Sequence, residues 1–203
     1  MAIINPKVSI VIPVSDMKNG DYFLKRCLET VNGQNYKNIG VITPKEGKVA
    51  HNLNYGVKQA TGDIIKILCM DDYFTGPDSL NEIVFNWSRK WLVTACLHHD
   101  VDGVGYPHLP GWNDEIHKGF NTIGGLSVIA VENDKNDPLL FTEGLDWVVD
   151  VDFLKRAYLR YGLPKFLMSN NVVIGVGDHQ LTRMLSEDQK EKEQIMMGEK
   201  YGY

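Results

Sequence analysis

Long apolar runs are absent from this sequence, and none approaches the ~18 residues that a helix needs to cross a bilayer. Residues 1–7 lack the basic segment and the following apolar stretch of a signal peptide. Cysteine is scarce, and Cys27, Cys69 and Cys96 lie too far apart for the usual zinc-ligand spacings. Isolated thiols of this kind fit burial in a reducing compartment. We therefore predict a cytoplasmic protein without an integral membrane segment.

Positive charge is also in short supply, with 21 Lys and Arg against 26 Asp and Glu and a net charge of −5. A protein that follows a nucleic-acid backbone needs a basic stripe, so we predict no nucleic-acid partner. A single small anion bound through a metal remains compatible with this balance. With 203 residues, 43% of them hydrophobic and 23% charged, the chain has the composition of a soluble globular domain.

The first hundred residues alternate between strand-like and helix-like patterns. Unbroken apolar runs predict strands at 8–14, 39–43, 64–70 and 92–97, and helical spacing predicts helices at 22–33, at 49–60 and from Ser79 onward. Ser79 and Glu82 have the spacing of a capping box. Strict alternation of strand and helix predicts an α/β fold with a mostly parallel sheet flanked by helices.

The second half of the chain is rich in loops. Turn signals recur from about residue 98 to residue 136, and a strand is predicted at 128–131. A helix follows at 150–161 and ends at Gly162, with a strand at 172–176 and a charged helix at 182–203.

Two adjacent carboxylates, Asp71 and Asp72, follow the third predicted strand directly. Ligand crevices of open α/β sheets lie beyond the carboxyl ends of the strands. Neighbouring carboxylates repel each other unless a cation neutralises them, and oxygen ligands suit Mg²⁺ or Mn²⁺. The pair therefore predicts a divalent metal site, and the alternative is an Asp-rich turn.

The order of several segments resembles that of the inverting glycosyltransferases of family 2, which have the GT-A fold and use nucleotide-diphosphate sugars. The segments that carry this resemblance are Val8–Val14, Phe23–Leu24 through Gln34–Tyr36, Asn52–Val57 with Ala60–Asp63, Leu68–Asp72, Phe141–Glu143 and Asp150–Arg156. Two segments depart from the family. Cys69 stands at the usual first acidic position of the metal motif, and Thr43–Gly47 replaces the acidic loop that contacts the nucleotide.

The resemblance implies one GT-A-like domain over residues 1–203, with a nucleotide-sugar-binding half at 1–97, an acceptor-side half at 98–181 and a charged C-terminal helix at 182–203. It implies a metal-dependent inverting transferase acting on a saccharide or another hydroxyl-bearing acceptor. The donor-binding residues would be Pro13, Val14, Asn54, Asp71 and Asp72. Asp71, Asp72 and His179 would hold Mn²⁺ or Mg²⁺, although a lone histidine is more often a polar turn residue.

Asp150 matches the position of the family's catalytic base, with Asp152 and Asp146 as further candidates. A carboxylate suffices as a base here, because the acceptor hydroxyl becomes acidic only as the new bond forms. The alternative for Asp150 is a helix N-cap.

Four residues are candidates for contacting the acceptor: Trp112, Asn121, Gly124 and Trp147. The two tryptophans offer flat faces for a sugar ring, although most tryptophans pack in cores. Asn121 and Gly124 belong to a polar, glycine-rich loop at 121–127 whose amides could approach phosphates, or which is a plain turn.

Other interpretations stay open from the sequence. Residues 98–102 contain histidines and aspartates, which are typical metal ligands, but they fit a turn that leads into Gly103 at least as well. A nucleotidyltransferase of related fold is an alternative function, although residues 15–20 make a poor phosphate-binding loop. A non-catalytic nucleotide-sugar binder is a third, because acidic residues are missing at Cys69 and Thr43.

Overall fold

A computed structural model of the chain describes residues 5–99, 103 and 105–203. Within them the elements follow one another as β1 (Val8–Val11), α1 (Gly20–Asn32), β2 (Ile39–Ile42), α2 (Val49–Gln59), β3 (Ile64–Ile67), β4 (Tyr73–Phe74), α3 (Ser79–Phe85), β5 (Trp91–His99), β6 (Gly105–His108), β7 (Ile129–Glu132), α4 (Val149–Tyr161), β8 (Lys165–Gly175), α5 (Leu181–Met184) and α6 (Glu187–Tyr201). Short 3₁₀ helices occupy Ile116–Lys118 and Leu126–Val128.

The described strands form one sheet in the order β2-β1-β3-β7-β5-β8-β4, and β6 pairs with β5. β1 is parallel to both β2 and β3, and β5 is parallel to β8. β7, β4 and β6 each pair antiparallel to their neighbours, so β1, β2, β3, β5 and β8 share one direction. The predicted α/β fold with a mostly parallel sheet is confirmed.

The centre of the core lies along β1 and β3, whose residues are all buried. Strands covered on both faces read as unbroken apolar runs, which is why the sequence indicated them so clearly. Burial of each such aliphatic side chain contributes roughly 1.5–3 kcal/mol. Helix α2 packs so closely on β1 that a side chain at Gly56 would collide with Val11.

Several boundaries differ from the sequence prediction. β1 and β3 end at Val11 and Ile67, so the last residues of both predicted strands are loop segments that face the site. β4 and β6 were not predicted, because strands of two and four residues carry almost no periodicity. The predicted C-terminal helix is two helices, and Ser186 caps the second of them with Gln189 in a capping box.

The predicted capping box at Ser79 is wrong. Asp78 is the N-cap of α3, and the Ser79 hydroxyl donates instead to the carbonyl of Asn171 in β8, 3.0 Å away. Burial decides this outcome, because a hydroxyl that is 4% exposed needs a partner within the protein.

Two sequence predictions fall partly or wholly outside the described residues, namely the signal-peptide assessment at 1–4 and the cluster at 98–102, of which 100–102 are not described. His98 and His99 end β5, where His98 stacks on Tyr106 at 4.9 Å and the Nδ1 atom of His99 lies 3.1 Å from the Tyr73 hydroxyl. No described helix has the length and apolarity that a bilayer crossing requires.

Candidate active site

The carboxyl ends of β1 and β3, the N-terminus of α4 and the segment after β8 enclose a cleft of about 590 Å³. The location agrees with the rule that open α/β sheets bind ligands beyond the carboxyl ends of their strands. Its lining includes eight of the residues predicted from the sequence: Pro13, Val14, Asp71, Asp72, Asp146, Trp147, Asp150 and His179. Five other predicted residues do not line it: Asn54, Trp112, Asn121, Gly124 and Asp152.

Asp71 and Asp72 form the acidic centre of the cleft, with side-chain ligand atoms within 4.8 Å of each other and of the Cys69 sulfur. Asp72 is only 4% exposed. Its Oδ2 accepts a hydrogen bond from the Ser127 hydroxyl at 2.5 Å, and its Oδ1 accepts one from the Gly175 amide at 2.9 Å. Burial and the neighbouring Asp71 charge raise the pKa of Asp72 well above its usual value.

His179 brings an imidazole to the same point. Its Nε2 atom lies 3.3 Å from Oδ2 of Asp71 and is buried without a hydrogen bond among the described residues. The ring is held against Phe23 at a centroid distance of 4.7 Å. A buried nitrogen that makes no hydrogen bond to a described residue and lies beside a carboxylate pair is an arrangement that a bound cation would complete.

The thiol of Cys69 does not extend this ligand set. Burial, then the charges of Asp72 and Asp71, raise the pKa of the Cys69 thiol well above its ordinary value. Sulfur is a soft ligand, so the donors of this cluster that suit a hard cation are the carboxylate oxygens and the imidazole. That donor set fits Mn²⁺ or Mg²⁺ better than a soft metal.

Ser127 holds the acidic centre through hydrogen bonds, and Lys66 in turn binds Ser127. The Ser127 hydroxyl accepts a hydrogen bond from the Cys69 amide at 2.7 Å while it donates to Asp72. The Ser127 carbonyl accepts a hydrogen bond from the Nζ of Lys66, a fully buried residue of β3. Burial lowers the pKa of Lys66 to about 7. No sequence pattern assigned a specific role to Ser127, whereas a lysine within the apolar run of β3 was a signal of a buried polar contact.

Asp150 lies in the first turn of α4, where Val148 is the N-cap. The alternative that Asp150 is the N-cap of this helix is therefore wrong, because the N-cap lies two residues earlier. Oδ2 of Asp150 accepts from the Asn121 amide group at 2.8 Å, and Oδ1 accepts from the Val151 backbone at 2.8 Å. Burial raises the pKa of Asp150 to about 6, although these two hydrogen bonds lower it. A carboxylate of this kind is largely ionised at pH 7 yet remains basic enough to accept a proton.

Asn121 stands behind Asp150 rather than in the cleft. Its Oδ1 accepts hydrogen bonds from the amides of Ile123 and Gly124, and its side-chain amide donates to the Gly124 carbonyl at 2.9 Å. Gly124 has a φ of +119°, which favours glycine. The predicted acceptor contacts at these two residues do not fit this geometry, because their polar groups close the turn and hold the carboxylate.

Asp152 points away from the cleft. Two residues after Asp150 correspond to about 200° around a helix, so the two carboxylates face opposite sides of α4. Asp152 is fully buried and accepts hydrogen bonds from Thr142, Arg156, Lys200 and Tyr201. Burial, which would raise its pKa, is outweighed by these partners, and the pKa of Asp152 is lowered. The predicted catalytic role of Asp152 does not fit this position, and the residue ties α4 to α6.

Trp112 and Asn54 also make their contacts within the protein, away from the cleft. Trp112 stacks on Tyr158 at 4.3 Å and forms a perpendicular pair with Trp91 at 6.4 Å, so one face of its ring is covered within the protein. The side chain of Asn54 exchanges two hydrogen bonds with the backbone of Phe141, which fixes α2 to the segment before α4. Neither residue contacts the cleft where the sequence placed it.

A second cavity of about 650 Å³ adjoins the cleft, and Gly175 and His179 line both. Arg26 of α1 lines the second cavity, donates to the Asp71 carbonyl at 2.5 Å and lies 4.2 Å over the Tyr73 ring. Arg26 therefore fixes the backbone of Asp71. The sequence did not indicate it, because one arginine on a helix carries no distinguishing pattern.

The sequence matches no family model, and no curated protein matches it. Solved structures do match in fold. Residues 1–349 of TarS from S. aureus, in complex with UDP-GlcNAc, align over 94% of this chain and 66% of that chain, with a TM-score of 0.65 and 16% identity. This chain has the GT-A fold. The prediction of that fold from the resemblance is thus confirmed.

Two further alignments agree on the fold. A longer TarS structure aligns over 96% of this chain and 44% of that chain, with a TM-score of 0.61 and 16% identity. The mannosyltransferase PcManGT from Pyrobaculum calidifontis, in complex with GDP-Man and Mn²⁺, aligns over 84% and 56%, with a TM-score of 0.55 and 15% identity. The chain thus spans about half to two thirds of these proteins, and at such identities the likeness concerns the fold.

Proposed function

We propose that this chain is a metal-dependent, inverting glycosyltransferase of the family 2 type, which moves a sugar from a nucleotide-diphosphate donor to a hydroxyl acceptor. One observation carries the proposal: the acidic pair, an imidazole nitrogen that makes no hydrogen bond among the described residues and a half-buried carboxylate with a raised pKa all face a single cleft. Proteins of the same fold are known in complex with UDP-GlcNAc and with GDP-Man and Mn²⁺, which supports a nucleotide-sugar substrate.

Asp71, Asp72 and His179 would hold Mn²⁺ or Mg²⁺, and the residues fit such an ion in charge and ligand type. A cation at this point offsets the negative charge that develops on the leaving nucleotide diphosphate. Asp72 is fixed by Ser127 and Gly175, and the backbone of Asp71 is fixed by Arg26, so the ligands are held before the donor arrives.

Asp150 would act as the general base. The bond between the anomeric carbon and the diphosphate oxygen breaks while the acceptor oxygen bonds to the same carbon, and Asp150 takes the acceptor proton. A single displacement of this kind inverts the anomeric configuration. Asn121 holds one oxygen of Asp150, which leaves the carboxylate oriented toward the cleft that it lines. Positioning of this kind commonly contributes as much as the proton transfer itself.

The walls of the cleft suggest how the substrates lie in it. Pro13 and Val14 belong to the donor side at the end of β1, and Trp147 belongs to the side that carries Asp150. We assign the donor to residues 1–97 and the acceptor to residues 98–181, within one domain that the helices at 182–203 complete. Trp147 offers an aromatic face for a sugar ring, next to the base.

Donor screening tests the proposal directly. UDP- and GDP-sugars are added with and without Mn²⁺, and the melting temperature identifies the donor, because a ligand of the folded state raises it. Transfer is then measured for the wild type, Asp71→Asn, Asp150→Asn and the exposed control Asp137→Asn. We expect both cleft variants to lose at least about 10²-fold in turnover while they remain folded. Full turnover in both would refute the mechanism.

A non-catalytic nucleotide-sugar binder is a second candidate, favoured by the protonated thiol of Cys69 at the first acidic position of the family motif. Such a protein would bind a donor in the presence of Mn²⁺ without transfer or hydrolysis. Calorimetric titration combined with product analysis separates the two candidates. Conversion of any donor by the wild type, with loss in Asp150→Asn, rejects the binder.

A further inference from the structure

The C-terminal helix α6 docks through polar contacts as well as through the buried side chain of Met197. Its buried residues are Glu193 and Met197, and Glu193 is only 6% exposed. The carboxylate of Glu193 reaches the segment just before α4. Oε1 accepts from the Asp146 amide at 2.9 Å, and Oε2 accepts from the amides of Trp147 at 2.7 Å and Val148 at 3.1 Å. A buried charge thus has three backbone donors from three successive residues.

These donors are located where α4 lacks a cap of its own. Val148 is the N-cap of α4, and a valine side chain has no acceptor for the free amides of a helix N-terminus. A carboxylate is favoured at that end of a helix by its dipole, and hydrogen bonds to an ionised acceptor are stronger than neutral ones. Glu193 therefore supplies, from α6, the acceptor for the amides of the three residues that lead into α4, of which Val148 is the N-cap.

The capped segment carries groups of the cleft. Trp147 lines the cleft, and Asp150 follows Val148 by two residues. The side chain of Asp146 forms an ion pair with Lys48 at 2.7 Å, so a contact from the donor half reaches the same segment. At the other end of α6, Lys200 and Tyr201 bind Asp152 on the far side of α4. The direction of Asp150 is thereby linked to the docking of α6.

We infer that Glu193 is a positioning residue, which holds the segment 146–148 so that Asp150 and Trp147 face the bound substrates. The expected effect on turnover rests on the proposed function. The expected effect on the backbone at 146–148 rests on the geometry alone. Glu193 does not line the cleft, so it acts through the backbone that it holds and not through the substrate.

The test compares Glu193→Ala and Glu193→Gln with Glu191→Gln, a control on the exposed part of the same helix. Hydrogen exchange of the amides at 146–148 is measured first, together with the titration of the Asp150 carboxyl by NMR. We expect Glu193→Ala to speed exchange at least about tenfold and to move the pKa of Asp150 toward its ordinary value as water enters. The glutamine variant keeps one acceptor oxygen, so an intermediate effect is expected.

Kinetics then separate positioning from a merely structural role. At a temperature where all variants are fully folded, we expect kcat to fall about 10²-fold in Glu193→Ala, while the affinity for nucleoside diphosphate with Mn²⁺ stays unchanged. Unchanged exchange at 146–148 would overturn the inference, and so would faster exchange with an unchanged Asp150 titration. Absence of transfer in the wild type would reject the proposed function, while exchange and titration would still decide the role of Glu193.

Discussion

The Nε2 atom of His179 lies 3.3 Å from Oδ2 of Asp71, so the segment after β8 meets the end of β3 at the centre of the cleft. The two residues are 108 positions apart in the sequence, and no local pattern connects them. Their contact brings an imidazole to the acidic pair, as the proposed metal site requires. The Nε2 atom of His179 is buried and makes no hydrogen bond among the described residues, and a bound cation would give it a ligand contact.

Replacement of His179 by Ala should weaken Mn²⁺ binding by about 10- to 100-fold, because one of three protein ligands is lost. The fold should persist, since His179 makes no hydrogen bond that the structure depends on. Titration of the protein with Mn²⁺ in the presence of UDP or GDP, followed by electron paramagnetic resonance, measures the change. His51→Ala, at an exposed position of α2, is the matched control. Equal affinity in wild type and His179→Ala would remove the histidine from the site.

The rate of transfer should fall as the pH is lowered through about 6. The base must be ionised, and burial raises the pKa of Asp150 to about 6. The hydrogen bond from Asn121 lowers that pKa, so Asn121→Ala should shift the acid limb of the kcat profile to higher pH. Asn136→Ala, at an exposed position, should leave it unchanged. An acid limb that stays fixed in Asn121→Ala would contradict the assignment of Asp150.

Asp152→Asn should destabilise the protein by about 1–3 kcal/mol at pH 7 and leave turnover within about threefold of the wild type. The partners Arg156 and Lys200 are partly exposed, so the loss is smaller than for a fully buried pair. The pKa of Asp152 is lowered in the folded state. Its contribution is therefore present above the unfolded pKa of about 3.9 and is lost as the pH falls through the folded value.

Urea unfolding between pH 3 and pH 7 measures this contribution. The difference in unfolding free energy between wild type and Asp152→Asn should shrink toward acid. An Asp152→Asn variant that is fully stable but inactive would instead indicate that Asp152 is a catalytic residue.

The stability of the wild type should rise relative to Lys66→Met as the pH increases from 7 to 8. Burial lowers the pKa of Lys66 to about 7, so above pH 7 the unfolded chain binds more protons than the folded one. The slope for one proton is at most about 1.4 kcal/mol per pH unit. Parallel curves would show that Lys66 keeps its charge throughout.

The sequence was informative where chemistry follows chain order. Asp71 and Asp72 end a buried strand, so the alternation of elements alone located them at the ligand-binding edge of the sheet, and the cleft includes them. The order of motifs likewise located Asp150 and His179. The α/β fold with a mostly parallel sheet followed from the unbroken apolar strands, whereas the GT-A fold was implied by the resemblance to family 2.

Other parts of the site depend on contacts between distant segments. Arg26, Ser127 and Glu193 each hold the backbone or a side chain of a residue at least 45 positions away. A glutamate among many in a charged helix carries no sign that it is the buried one. Asp152 and Trp112 have side chains whose chemistry suited the site, but their contacts lie elsewhere. Asp152 faces α6, and Trp112 stacks on Tyr158.

The most direct test of the proposed chemistry is a crystal of this protein grown with Mn²⁺ and either UDP or GDP, with anomalous scattering recorded at the manganese edge. We expect one strong peak about 2.0–2.3 Å from an oxygen of Asp71 and within bonding distance of the nucleotide phosphates. The same crystal of Asp71→Asn should show a much weaker peak. A strong peak elsewhere, with the phosphates bound away from Asp71 and Asp72, would contradict the account.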